Sequence, residues 1–197
     1  MKRLIAVSHG FDIVDRMGQV HERIDGKLRE FIEAQHIYFV GTAPIEANGH
    51  INLSPKGHRD TFAVLDEHTV AYLDLTGSGA ESLAHIRQNG RVVVMFCAFE
   101  GSPNIVRLHG QGTVHTQGDE NFGQLVGRFP SLPGARAVLT VDVSRVSSSC
   151  GFAVPFFDHV GDRDLLEKWA ERKTDEELAN YRAAKNKTSI DGLPALG

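Results

Sequence analysis

Cysteine is scarce in this chain: Cys97 and Cys150 are the only two among 197 residues. Two thiols so far apart make neither a disulfide framework nor a CxxC zinc spacing. A reduced, cytoplasmic setting is therefore the default expectation. Long apolar runs are also missing. None approaches the roughly 20 residues that span a bilayer, and the start, MKRLIAVSHG, lacks the h-region of a secretory signal. No block of like charge stands out; Lys plus Arg is 21, Asp plus Glu is 25, and the formal net charge is −4. The electrostatic footprint of a nucleic-acid binder is not there. Nor does the sequence hold a GxxxxGK[ST] loop, a GxGxxG opening a helix, or an HExxH pair. No nucleophile and base pair off, so hydrolase chemistry has no support. What is present is 41% hydrophobic, enough for a core, on a length that suits one ordinary domain with or without an appendage.

Arg3 to Val14 shows no clean period, and residues 1–16 read as a possible appendage before Met17. QVHERIDGKLREFIEAQ then reads as a helix, with Leu28, Phe31 and Ile32 on one stripe. From residue 36 the period changes. HIYFVGTA is a strand by composition, and Asn48-Gly49 ahead of the next run is a hairpin signal. DTFAVLDEHTVAYLDL gives two more strands around Asp66-Glu67. GRVVVMFCAF is continuously apolar and fits a strand covered on both faces, or by its period alone a buried helix. NIVRLHGQGTV and AVLTVDVSRVSSS alternate. Helices fall between and after them: SGAESLAHIRQNG, where Ser78 and Glu81 have capping-box spacing; DENFGQLVGRF; DLLEKWAERK; and TDEELANYRAAKNK, with a second such spacing at Thr174 and Glu177. The tail from Ser189 should be irregular. Six or seven strands at meander spacing favour an antiparallel sheet, and closure into a small barrel removes exposed edges. The expected division is a barrel over 17–160 with C-terminal helices and tail over 161–197 packed on it.

Two segments carry the chemistry. In Asn52-Leu53-Ser54-Pro55-Lys56-Gly57 a strand end delivers Asn52 and Ser54 to one face. Pro55 fixes the turn, Lys56 supplies a mobile point charge, and Gly57 lets a ligand approach the backbone. A hydroxyl, an ammonium and a glycine suit a phosphate; the same hexapeptide also fits a strand followed by a solvated turn. The second segment, Tyr72-Leu73-Asp74-Leu75-Thr76-Gly77-Ser78-Gly79, joins a strand to a helix. Successive N–H groups there can form an anion-binding concavity, with Thr76 and Ser78 adding hydroxyls. The bland reading is that Ser78 caps the helix while Gly77 and Gly79 turn the chain. Glu81 favours it, because a carboxylate in the first helical turn already answers the dipole and repels a phosphate.

The succession HIYFVGTAP, NLSPKG, YLDLTGSG with AESLAHIRQNGRVVVMF, and NIVRLHGQG resembles the flavin-binding split barrel of the pyridoxamine 5′-phosphate oxidase-like family. The close of the chain, with SCGFAVP, KWAERK and KNKTSIDGLP, is similar to one branch of it. The resemblance implies a mainly β, antiparallel split barrel with peripheral helices, homodimeric, with FMN at the subunit interface. It implies that Lys56 meets the phosphate with Ser54 and Gly57 beside it. Thr76, Gly77 and Ser78 would meet phosphate and ribityl chain, and Arg107 would reach the flavin from across the dimer. The expected cofactor-binding set is thus Asn52, Ser54, Pro55, Lys56, Gly57, Asp74, Thr76, Gly77, Ser78, Gly79, Arg107 and Cys150.

The departures matter as well. The oxidases carry an arginine five residues before the lysine, where this chain has Ile51. Their Ser-Arg-Lys cluster at the helix start is replaced here by Gly-Ser-Gly and Glu81, and their C-terminal Trp-plus-Arg signature has no clear match. With fewer fixed cations, amides and hydroxyls must carry more of the phosphate. The implied activity is an FMN-dependent oxidoreductase working through flavin N5 on a small molecule, with NAD(P)H as a candidate partner. The alternatives are a non-enzymatic flavin-binding protein, a redox sensor using Cys150, or a barrel for deazaflavin or haem. No metal site and no membrane or nucleic-acid partner is expected. His36, His50, His58, His85, His109 and His115 read as surface or strand-end residues, with His109 the candidate proton donor. Cys150 is readable as a flavin contact or as a small buried hydrophobe.

Overall fold

The alternating stretches become eight strands of a single antiparallel sheet in the computed structural model, which describes residues 18–196. The strands are β1 (Gln19–His21), β2 (Tyr38–Thr42), β3 (Asn52–Lys56), β4 (Phe62–Val64), β5 (Thr69–Leu75), β6 (Arg91–Cys97), β7 (Ile105–Thr116) and β8 (Ala135–Ser149). The helices are α1 (Gly26–Glu33), α2 (Glu81–Asn89), α3 (Phe122–Val126), α4 (Leu165–Glu171) and α5 (Asp175–Lys185). The order β3-β2-β6-β7-β8-β5-β4, with β1 added on β8, leaves β3 and β4 as the two ends. Only residues 57–61, including the 3-10 turn Arg59–Thr61, connect those ends. The curled sheet is a split barrel, and the seam lies where β3 faces β5.

Period 2 explains the core. Val70 and Tyr72 of β5 and Leu139 and Val141 of β8 point inward, with Tyr38, Phe96 and Leu108. Ile24, Leu28 and Ile32 around α1 and Leu83 and Ile86 of α2 fill the same core. On the outer face Ala71, Leu73 and Val138 are covered by Phe129 and the half-buried Phe122, Leu125 and Val126 of α3. Gly110 sits at a bulge of β7 on β8, where a Cβ would lie 2.0 Å from the Asp142 carbonyl oxygen. No other residue fits there.

Several expectations need correction. Gln19–His21 is a strand on β8 rather than the first turn of a helix, which starts only at Gly26 with Asp25 as its cap, accepting from Leu28 N at 2.9 Å. Asn48-Gly49 lies inside the nine-residue connection 43–51 between β2 and β3, so the hairpin forms without a two-residue turn. β6 is fully covered on one face by Val92, Val94 and Phe96, while Val93 and Met95 are half-buried. Ser78 does not cap α2: the cap position is Ala80, with no side-chain hydrogen bond. The Thr174–Glu177 capping box does form. The tail, expected to be irregular, folds back, with Thr188 bridged to Pro194 and Ala195 fully buried. The expected appendage, residues 1–16, falls outside the described residues. Among the described residues no helix is long and apolar enough to cross a membrane.

Candidate functional site

The seam opens into a cavity of about 230 Å³ lined by β3, β5, the 78–83 segment and the start of β8. Period 2 on β3 turns Asn52, Ser54 and Lys56 into it while Ile51, Leu53 and Pro55 face away. From the opposite wall come Asp74, Ser78 and Gly79. A second cavity of about 240 Å³ shares Lys56, Gly79 and Arg136 with the first and adds Pro55, Gly57 and Gly77.

Between the two cavities lies a buried ion triad. Lys56 Nζ donates to Asp74 Oδ1 at 2.8 Å, across the seam from β3 to β5. Arg136 Nε donates to Asp74 Oδ2 at 2.6 Å, and its Nη2 donates to the Gly79 carbonyl at 2.9 Å. Burial pushes the Asp74 carboxyl up, but the Lys56 and Arg136 cations outweigh it and hold the group below its ordinary 3.8. Asp74 is therefore a fixed anion that locks two cations at the cavity wall. Arg136 is 7% exposed, and among the described residues its Nη1 has no hydrogen-bond partner. A buried guanidinium nitrogen without an acceptor is costly.

Arg136 is the functional residue that sequence reasoning missed. Strand alternation would set it outward with Val138. A β-bulge changes that: Asp74 pairs with Ala137 and Leu75 with Ala135, so Arg136 is the extra residue. Bulges re-aim side chains at such places. The available signal was a lone arginine opening the apolar run ARAVLTV, in a chain lacking the oxidases' helix-start cations.

Apart from the carboxylate of Glu81, the polar groups of the remaining wall are neutral. Asn52 Nδ2 donates to Thr42 Oγ1 at 3.1 Å and to Ser82 Oγ at 3.0 Å, and Ser54 Oγ donates to Asn52 Oδ1 at 2.9 Å. His85, fully buried, meets Thr42 Oγ1 through Nδ1 at 3.0 Å. Thr76 is buried too, but outside either cavity: its hydroxyl donates to the Gly134 carbonyl at 2.7 Å and accepts from Arg182 Nε at 2.9 Å. Its part is to fix the loop rather than to line the cavity.

Two expected residues lie elsewhere in the chain. Arg107 is at the other end of β7, donating to Ser149 Oγ at 3.2 Å, and the half-buried Cys150 follows that serine. Neither lines the seam cavities. His109, two residues on, is pushed below its ordinary value by burial and by Arg145 and Arg107, so its ring is neutral at pH 7. Burial raises the Cys97 thiol, which keeps it protonated and inert.

Comparison with known proteins gives the family. The family model for pyridoxamine 5′-phosphate oxidase matches residues 24–150. The chain is 42% identical over 192 residues to the pyridoxamine 5′-phosphate oxidase family protein ustO of Aspergillus flavus, covering 89% of this chain and 77% of that protein. Solved structures that it resembles include HupZ of Group A Streptococcus (TM-score 0.49, 23% identity, 62% of this chain and 97% of that one). Another is an FMN-binding protein of Syntrophomonas wolfei (TM-score 0.44, 15% identity, 60% of this chain and 82% of that one). From the matched span and the ustO identity, the chain belongs to the pyridoxamine 5′-phosphate oxidase family.

Proposed function

We propose that this protein binds FMN with its phosphate at the β3–β5 seam and acts as an FMN-dependent oxidoreductase on a small molecule. The observation that carries the reading is the pair of cations Lys56 and Arg136, fixed by Asp74 and both lining the seam cavity. A phosphate monoester has the charge and the acceptor geometry to meet them. Ser54 and Ser78 would add hydroxyls, and Gly77 and Gly79 leave room for close backbone approach. Thus Lys56 and Arg136 supply the charge that Ile51 and the Gly-Ser-Gly stretch do not.

Bound FMN supplies hydride or electron transfer at its N5, and the protein supplies orientation and electrostatics. Asp74 holds Lys56 and Arg136 at fixed positions before the ligand arrives, which lowers the ordering cost of binding. The Asn52–Ser54–Ser82 wall offers hydroxyl and amide groups to a polyol chain. Neutral His109 and half-buried Arg107 and Cys150 would meet the flavin only from a partner protomer, so the reading includes a homodimer. Exposed apolar residues support that part: Ile51 just before the edge strand β3 and Leu53 on it, and Phe152, Phe156 and Phe157 after β8.

The test is spectroscopic. Purified protein mixed with FMN should retain a flavin spectrum through gel filtration at the mass of a dimer. Anaerobic stopped-flow mixing with NADH or NADPH should bleach it, and a suitable acceptor should restore it over many cycles. A flavin that is held but never cycles would leave a carrier. A haem or deazaflavin spectrum with no FMN uptake would overturn the reading.

A further inference from the structure

We infer that the C-terminal loop, residues 186–196, is a strap that holds the Glu81 carboxylate at the edge of the phosphate site, so that strap docking and phosphate binding favour each other. This rests on the flavin reading above and adds a regulator of that same site.

The loop is closed on itself and anchored. Leu196 N donates to the Asn186 carbonyl at 3.0 Å and Ala195 N to the Lys187 carbonyl at 2.9 Å. Ala195 is fully buried, Leu193 and Leu196 pack on the main core, and Arg87 donates to the Ala195 carbonyl. One root touches the ligand loop directly: Asn186 Nδ2 donates to the Gly77 carbonyl at 3.0 Å, a turn beyond the Arg182–Thr76 bond. The tip, Ser189–Gly192, is a β-turn closed by Gly192 N to the Ser189 carbonyl at 3.0 Å. It ties together both walls of the seam cavity. Ile190 N donates to Glu81 Oε1 at 3.0 Å and Oε2 at 3.3 Å. Asp191 accepts from His50 N at 2.7 Å and pairs with His50 Nδ1 at 2.7 Å, just ahead of Asn52. Gly49 makes the fit possible, since a Cβ there would lie 2.4 Å from Pro44 and 3.1 Å from Asp191 Oδ2.

Glu81 is the acidic residue lining the cavity that makes no salt bridge among the described residues, although His50 lies near enough to feel its charge; Asp74 has two cations. Held by the Ile190 N–H, the carboxylate keeps its charge but is directed at the strap, at the edge of the cavity it lines. Released, it is free to swing toward Lys56 and Arg136, where it repels a phosphate. A ligand that binds the docked form better must stabilise docking by the same factor.

Ile190 offers a clean test. Its side chain is 71% exposed, and it sits at the second position of a β-turn, where proline fits and removes only the N–H. FMN and riboflavin affinities are measured by flavin fluorescence for wild type, Ile190→Pro, Glu81→Gln and the double variant. The strap predicts that Ile190→Pro weakens FMN at least about fivefold and leaves riboflavin unchanged. It also predicts that Ile190→Pro has no further effect on FMN in the Glu81→Gln background. Equal loss for both flavins, no loss for FMN, or a loss that persists without the Glu81 charge overturns the inference while the flavin reading stands. A wild type that binds neither flavin overturns both. If Ile190→Pro does not fold, Asp191→Ala, which frees the same tip from His50, is read in the same way.

Discussion

The two ends of β8 treat charge in opposite ways. At its start Arg136 is 7% exposed, bonded to Asp74 and Gly79, and one residue of a buried triad. Near its end Arg107, on the neighbouring β7, is half-buried and meets one serine hydroxyl. Burying charge costs several kcal/mol per ion unless partners compensate, so the first end is an organised site and the second an open surface. At one end two cations are held by a buried carboxylate; at the other a half-buried cation meets a serine hydroxyl.

The largest effect is expected at the buried end. Arg136→Ala removes the buried cation and leaves buried Asp74 only the partly exposed Lys56, so it should destabilise the fold by about 3–5 kcal/mol, read from chemical denaturation. FMN binding should be lost with it. Arg107→Ala, by contrast, should stay within about 1 kcal/mol; similar losses at both sites would erase the comparison.

Lys56→Ala comes next. Asp74 keeps Arg136, so the fold survives, but a charge-assisted contact worth about 1.5–3 kcal/mol is gone. FMN should weaken by roughly one to two orders of magnitude in a fluorescence titration, with riboflavin little affected.

A smaller effect is expected with pH. Asp74 titrates below its ordinary 3.8 in the folded protein. The stability it contributes is complete above that value and fades as pH falls through the folded one. Denaturant midpoints should drop steeply only below about pH 4. In Lys56→Ala, with one cation gone, the drop should begin at higher pH. An unchanged profile would show that Lys56 does not hold Asp74.

The smallest expected effect sharpens the other end. Arg107→Ala should lower flavin affinity in the dimer while leaving the denaturation midpoint near wild type, because the Arg107–Ser149 hydrogen bond is only part-buried and lies outside the ion triad.

Much of this was legible in the residues. The alternation of AVLTVDVSRV and TVAYLDL gave strands and faces, and the resemblance placed Asn52, Ser54, Lys56, Asp74, Ser78 and Gly79 around one ligand, where the cavity brings them together. Arg136 was not legible, because its direction depends on a bulge set by the β5–β8 register and not by its neighbours in sequence. β1 was hidden for a similar reason: Gln-Val-His is too short to show a period and becomes a strand only by pairing with Val146–Ser148. The tail carried turn residues, Asp191-Gly192 and Pro194, but its partners Glu81 and His50 lie over a hundred positions away. Sequence spacing sees local order; long-range closure has to be seen in the fold.

The most direct measurement is the affinity of the wild-type protein for FMN against riboflavin, which differ only by the phosphate. A seam built from Lys56 and Arg136 predicts FMN tighter by at least about tenfold, or 1.4 kcal/mol. Equal affinities would mean that these two cations do not meet a phosphate.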